Sequence, residues 1–348
     1  MIASRFLAPL LISPFLLAAS GVTAFAQSPA EFYKGKAVRM VIGAAVGGGY
    51  DLPGRVMQQH MGRHIPGNPT MVVENMPGAA SLIMTNFLYN RAPRDGTVMG
   101  MPNNSVPLEP RLRILSRDGG DVRFDVSKFI WIGSPVQEPQ ILWTWSAAAR
   151  NFEDLKNKRV VIGSMAVGAD NYTLPFLANR ILGTRMDIIP GYKGTSDTFV
   201  AAEQGEIQGG GTSLLNLMVN RGDWLREGKA GFVLSFGLER LPQLPDVPTA
   251  AELATTQADR ELFRFIAMKF AMSRPLAFPP DVPQDRVVAV RKAFDATMKD
   301  PAFLADAKKI GLDVDPVSGV EIQKLVEEIQ ATPQAVVDRL RDLLNAPK

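Results

Sequence analysis

The chain has 348 residues, with 38 lysines and arginines against 35 acids, a net charge of +3 and no cysteine. The lack of cysteine excludes disulfides, thiolate metal sites, a cysteine nucleophile and the lipidated cysteine of a lipoprotein. Balanced charge with no run of five like charges argues against a basic binding stripe, so no nucleic-acid partner is expected.

Arg5 precedes an apolar stretch from Phe6 to Ala19, and small residues then lead to Ala24-Phe25-Ala26. A positive start, an apolar middle and an A-x-A end make residues 1–26 a cleaved secretory signal, which implies a periplasmic protein. The apolar run falls short of the roughly 20 residues that span a bilayer. The remaining ~320 residues exceed what one core usually organises, so two lobes are expected.

Residues 38–42, VRMVI, read as a strand. They run into Gly47-Gly48-Gly49, and after Asp51 a helix is expected with Leu52, Val56, Met57 and Met61 on one face. A strand over 71–73, a turn at Asn75-Met76-Pro77-Gly78, a helix over 81–89, a turn at Asp95-Gly96 and a strand over 97–101 follow. Strands alternating with helices imply an α/β protein with parallel, doubly wound sheets. The pattern then restarts: residues 159–170 echo residues 39–49 at an offset of 120 and lead into a helix over 172–182. One strand, loop and helix unit per lobe is the expected meaning. A strand over 187–189, a helix over 195–203, a glycine-rich strand edge over 207–212 and a strand over 231–236 come next. Amphipathic helices are expected over 285–299, 301–310 and 319–344, with apolar faces used for packing.

The nucleotide-binding patterns G-x-x-x-x-G-K-[ST] and G-x-G-x-x-G do not occur, nor does the nucleophile elbow G-x-S-x-G, so no cofactor is expected and no enzyme is indicated. His60 and His64 have helical i, i+4 spacing, but Met61-Gly62-Arg63 between them supplies no acid; they read as solvated helix histidines rather than metal ligands. What remains is a pair of glycine-bearing loops at helix starts. Unpaired N–H groups and the positive end of the helix dipole bind anions there, and glycine lets the ligand approach the backbone. Two such loops facing each other would hold a small carboxylate. The plainer alternative is that the glycines only make tight turns and that Asp51 caps its helix.

Residues 36–42 leading into Gly47-Gly48-Gly49-Tyr50-Asp51, together with 72–79, 92–97, 191–194, 244–252 and 279–283, resemble the tripartite tricarboxylate transporter substrate-binding proteins, the Bug or TctC-like receptors. The likeness runs from about residue 33 to residue 316. It implies a type II periplasmic binding fold, with two lobes joined by crossing strands near 141–145 and 233–236 and a ligand cleft at the hinge. The lobes would be 27–143 plus 236–348, and 144–235. It also implies a non-catalytic monomer that captures an organic carboxylate for membrane permease subunits, or that reports to a sensor kinase. A secreted hydrolase is the remaining alternative. The ligand contacts carried over are Val46, Gly47, Gly48, Gly49, Tyr50 and Asp51 in the first loop, and Ser164, Gly168, Ala169, Asp170 and Asn171 in the second. Asn103, Ser105, Tyr192 and Thr212 join them at the borders of the supposed cleft. The family's usual sequence differs at 44–46, within 164–171, at Gln208 and over 109–125, which bears on ligand identity more than on fold.

Overall fold

The computed structural model describes residues 27–113 and 121–345; the expected signal, residues 1–26, lies outside the described residues. The first half of the chain runs α1 (Pro29–Tyr33), β1 (Ala37–Ile42), α2 (Asp51–Met61), β2 (Thr70–Asn75), α3 (Leu82–Asn90), β3 (Val98–Met101), α4 (Glu109–Leu112) and β4 (Ile130–Ser134). It then enters a second sheet through β5 (Gln140–Trp145), α5 (Phe152–Asn157), β6 (Val160–Ser164), α6 (Asp170–Leu182), β7 (Met186–Pro190), α7 (Thr195–Glu203), β8 (Gly209–Ser213), α8 (Leu214–Arg226) and β9 (Ala230–Ser235). Helices α9 (Ala250–Leu253) and α10 (Gln257–Ala271) lead back to the first sheet, completed by β10 (Leu276–Phe278), α11 (Gln284–Thr297), α12 (Pro301–Lys309), β11 (Val317–Ser318), α13 (Gly319–Ala331) and α14 (Gln334–Asn345).

The two sheets share one plan. The first is ordered β2-β1-β3-β10-β4 with β11 on its outer edge, and the second β7-β6-β8-β5-β9. In each, the leading strand is flanked by two parallel neighbours. The fourth strand runs antiparallel to both of its own neighbours. The expectation of parallel sheets therefore needs correction at β5 and β10, and also at β11. The physical reason lies in the route of the chain. Parallel neighbours need a crossover connection, usually a helix. Strands β5 and β10 instead arrive from the opposite sheet, β5 across five residues and β10 through α9 and α10, and enter reversed. The passages between sheets are residues 135–139 and 236–275, so a boundary at residue 143 falls inside β5. The expected crossing strands are both members of the second sheet, where Ile141 pairs with Ser235.

Burial follows from composition. Strands β1 and β3 are almost entirely buried, as apolar strands covered on both faces must be. On one face of the first sheet Met40, Ile42, Phe278 and Phe294 pack with Met57 and Met61 of α2 and Phe303 of α12. On the other, Val41, Met84, Leu88 and Trp131 join a cluster that continues through α10, α13 and α14 to Leu142 and Ile162 of the second sheet and Leu174 and Leu177 of α6. Trp143, Phe199, Leu217 and Trp224 fill the far side of that sheet.

Local chemistry sets the helix starts. Thr256 accepts the Asp259 N–H at the head of α10, and a reciprocal Ser318–Glu321 capping box starts α13. The single helix expected over 319–344 divides at Thr332-Pro333, because a proline disfavours helical geometry at the residue before it. The expectation of two solvated histidines needs correction: His60 is buried and His64 partly exposed, and their Nε2 atoms lie 2.8 Å from Asp306, in α12, and from Asp300, just before it. Among the described residues no helix is long and apolar enough to cross a membrane.

Candidate functional site

The loop after β1 turns on Gly47, whose φ of +79° falls in the left-handed region that glycine adopts without strain. Its N–H does not face an external anion. The Asp51 carboxylate accepts it at 2.8 Å, along with Arg55 Nε at 2.9 Å and Asn75 Nδ2 at 2.9 Å. Asp51 is 1% exposed. Burial pushes its carboxyl pKa up, but hydrogen bonds from Arg55, Gly47 and Asn75 together pull it below the ordinary value. The Gly48 N–H is taken by the Ala45 carbonyl, and Val46 points into solvent, 73% exposed. The Gly49 carbonyl accepts Arg274 Nε at 2.9 Å. The first loop is thus a self-neutralised turn. Tyr50 is the member of the loop that meets Arg274 with its side chain. Its ring stands 5.8 Å from the Arg274 guanidinium, its oxygen accepts the Asn104 N–H at 3.0 Å, and burial pushes its hydroxyl pKa up to about 12.

The loop after β6 is built on the same plan with different groups. Asn171 Oδ1 accepts the Met165 N–H at 3.3 Å, and Ser164 Oγ, fully buried, donates to the Ile189 carbonyl. Asp170 begins α6 without a side-chain cap behind it and reaches across to Lys269 Nζ of α10 at 2.5 Å. The stem of Lys269 is buried, so its ammonium is delivered to one place. A second ion pair lies alongside, Arg274 Nη1 to Glu138 at 2.6 Å. Glu138 sits in the first passage between sheets, and its N–H donates to the Phe270 carbonyl and to Ser273 Oγ, both at 3.0 Å.

These groups line a crevice between the sheets that holds two cavities meeting at Asp170. One, of about 460 Å³, is walled by Glu138, Gln140, Asn171, Thr212, Asn216 and Arg274. The other, of about 380 Å³, has Asn103, Ser105, Gly168, Ala169 and Lys269 among its walls. Both volumes suit a small molecule. Of the expected contacts, Asn103, Ser105, Gly168, Ala169, Asp170, Asn171 and Thr212 line these cavities. Val46, Gly47, Gly48, Gly49, Tyr50, Asp51, Ser164 and Tyr192 do not. The carboxylate of Asp51 is consumed inside its own loop, and the Tyr192 hydroxyl faces Glu206 at 3.4 Å.

Of the charged members of the site, Asp170 was expected from the sequence, and Lys269, Glu138 and Arg274 were not. Lys269 stands in the apolar stretch 265–272, where a lone lysine between phenylalanines and methionines was the available signal. Glu138 and Arg274 carry no motif. A cation in the wall of each cavity, already facing an acid, can bind and orient a solute carboxylate by exchanging an internal partner for an external one.

Comparison with known proteins agrees with this architecture. No family model matches the chain. It is 23% identical over 339 residues to the UPF0065 protein in the gbd 5′ region of Cupriavidus necator, covering 93% of each chain. Its structure is similar to a TctC solute-binding protein from Polaromonas, with a TM-score of 0.68 and 16% identity over 88% of this chain and 99% of that one. It is also similar to an R. palustris protein solved with adipate, with a TM-score of 0.56 and 18% identity over 88% of this chain and 97% of that one. The fold is the two-lobed one of the periplasmic binding proteins, and the resemblance to TctC and Bug receptors extends over nearly the whole chain.

Proposed function

We propose that the chain is a periplasmic solute-binding protein of the TctC and Bug type. It closes two lobes over a small organic carboxylate and presents it to the membrane subunits of a tripartite tricarboxylate-type transporter. The observation that carries this reading is a crevice lined from both lobes, with Arg274 in the wall of one cavity, Lys269 in the wall of the other and Asp170 shared by both. The adipate bound by a protein of the same fold supports a carboxylate as the solute. The lobes would be the residues of the two sheets, hinged at 135–139 and 236–275. Secretion would depend on residues 1–26.

Binding energy would drive closure only so far as the ligand touches both lobes, because differential affinity alone shifts a conformational equilibrium. The Lys269–Asp170 pair already joins α10, which packs with α13 and α14, to α6 of the second lobe, so a carboxylate that takes Asp170's place on Lys269 would remain bound by both sides through the first turn of α6. Thermal unfolding in a panel of mono-, di- and tricarboxylates tests the reading. A ligand at a hundredfold excess over its Kd adds about 2.7 kcal/mol to stability and raises the melting temperature. The Lys269→Met variant is expected to lose that response. No shift with any acid would overturn the proposal.

A further inference from the structure

Beyond the Lys269–Asp170 pair the crevice turns apolar. The 380 Å³ cavity is walled by Leu108, Leu112, Phe176, Ile266, Leu340 and Leu344. This wall is built rather than left over from packing. Helix α4 has four residues, too few to hold a position alone. It is clamped in place by two arginines working in opposite directions. Arg111 donates to the carbonyls of Ile329 at 3.2 Å, of Gln330, and of Thr332 at 2.7 Å, where α13 ends. From α14, Arg341 donates back to the carbonyls of Leu112 at 3.2 Å and Arg111 at 2.7 Å. The clamp fixes the leucines of α4 opposite those of α14, with α6 of the other lobe forming the facing side.

The charges of this cavity are lopsided. Among the described residues lining it, Lys269 is the one lysine or arginine, while Asp170 and Glu109 are acids. A carboxylate has a partner at the Lys269 end, but a second carboxylate pushed into the leucine wall would lose its hydration without gaining a cation. An apolar body placed there instead gains from leaving water.

We propose that the solute is a monocarboxylic acid with an aromatic or branched apolar body, its carboxylate on Lys269 and its body against the leucines, rather than a short dicarboxylate. This rests on the carboxylate reading above and narrows it. Calorimetry on the full chain with phenylacetate, 4-methylpentanoate, succinate, adipate and citrate tests it. At least one apolar monoacid is expected to bind tenfold or more tightly than adipate. Leu344→Gln is expected to weaken that monoacid at least tenfold and to change adipate less than twofold, and Leu112→Gln gives the same readout should the first variant fold poorly. Tighter binding of succinate, adipate or citrate than of either monoacid would overturn this proposal and leave the carboxylate reading standing, as would monoacid affinity indifferent to both substitutions. Silence from all five acids would overturn both.

Discussion

Residues 50 and 51 of the first loop and 170 and 171 of the second stand 120 positions apart and occupy matching places, at the start of a helix that follows the leading strand of a sheet. They do related jobs with different chemistry. Asp51 and Asn171 each fold back to accept a backbone N–H of their own loop, but one is an anion with Arg55 beside it and the other a neutral amide. Tyr50 and Asp170 each face a cation of the crevice, one as a ring over Arg274 and the other as a carboxylate on Lys269. The first loop therefore spends its electrostatics on its own geometry. The second is closed by a group of no net charge, which leaves the field at the head of α6 available to the crevice. Two turns of the same shape can thus divide labour, one as scaffold and one as binding surface.

The two loops differ most in what they contribute to stability. Asp51→Ala leaves the Gly47 N–H without its acceptor and Arg55 without its carboxylate, while Asn75 keeps the Ala44 carbonyl, and is expected to cost about 3 kcal/mol, whereas Asn171→Ala removes one neutral hydrogen bond and should cost about 1 kcal/mol. Urea unfolding measures both, and equal losses would mean that the loops are not differently specialised. Next in size is a change to binding. Asn171→Asp sets a second carboxylate beside Asp170 at the crevice and is expected to weaken the tightest acid about tenfold, or roughly 1.4 kcal/mol, by calorimetry. Unchanged affinity would show that the charge at position 171 does not matter to the ligand.

The smallest effect sharpens the comparison through pH. Because hydrogen bonds hold the Asp51 carboxyl below its ordinary pKa in the folded state, its contribution is fully present above the unfolded carboxylate value of about 4 and is lost as pH falls through the lower, folded value. Asp51→Asn keeps an acceptor for Gly47 but not the charge. It should cost about 1 kcal/mol at neutral pH and lose part of the acid-side decline in the urea midpoint between pH 5 and 2. An unaltered decline would place the acid sensitivity elsewhere.

Much of this was legible in the sequence. The run 38–42 and its echo at 159–163 mark the two leading strands, since β-branched and apolar residues ending at glycine leave few other readings, and the 120-residue offset corresponds to a shared sheet plan. The fourth strand of each sheet was not legible in the same way, because β10 has three residues and its place is set by partners β3 and β4, far away in the chain. The binding side chains were harder still. A glycine loop advertises itself, but whether its N–H groups face outward depends on where Asp51 turns. Lys269 and Asp170 meet across 99 positions of sequence, and no local pattern carries that distance.

The insertion of β10 between β3 and β4 also has consequences for how the molecule comes into being. A growing chain can lay β1, β2 and β3 side by side early, but β4 has no inner neighbour until residues 276–278 have emerged. A truncated product ending before that point would leave the edges of β3 and β4 unpaired and open to intermolecular association. The wedge strand is thus a late keystone. It ties completion of the first lobe to synthesis of the second, makes a single cooperative unfolding transition the expected behaviour for both, and slows folding by demanding contacts between the two ends of the chain.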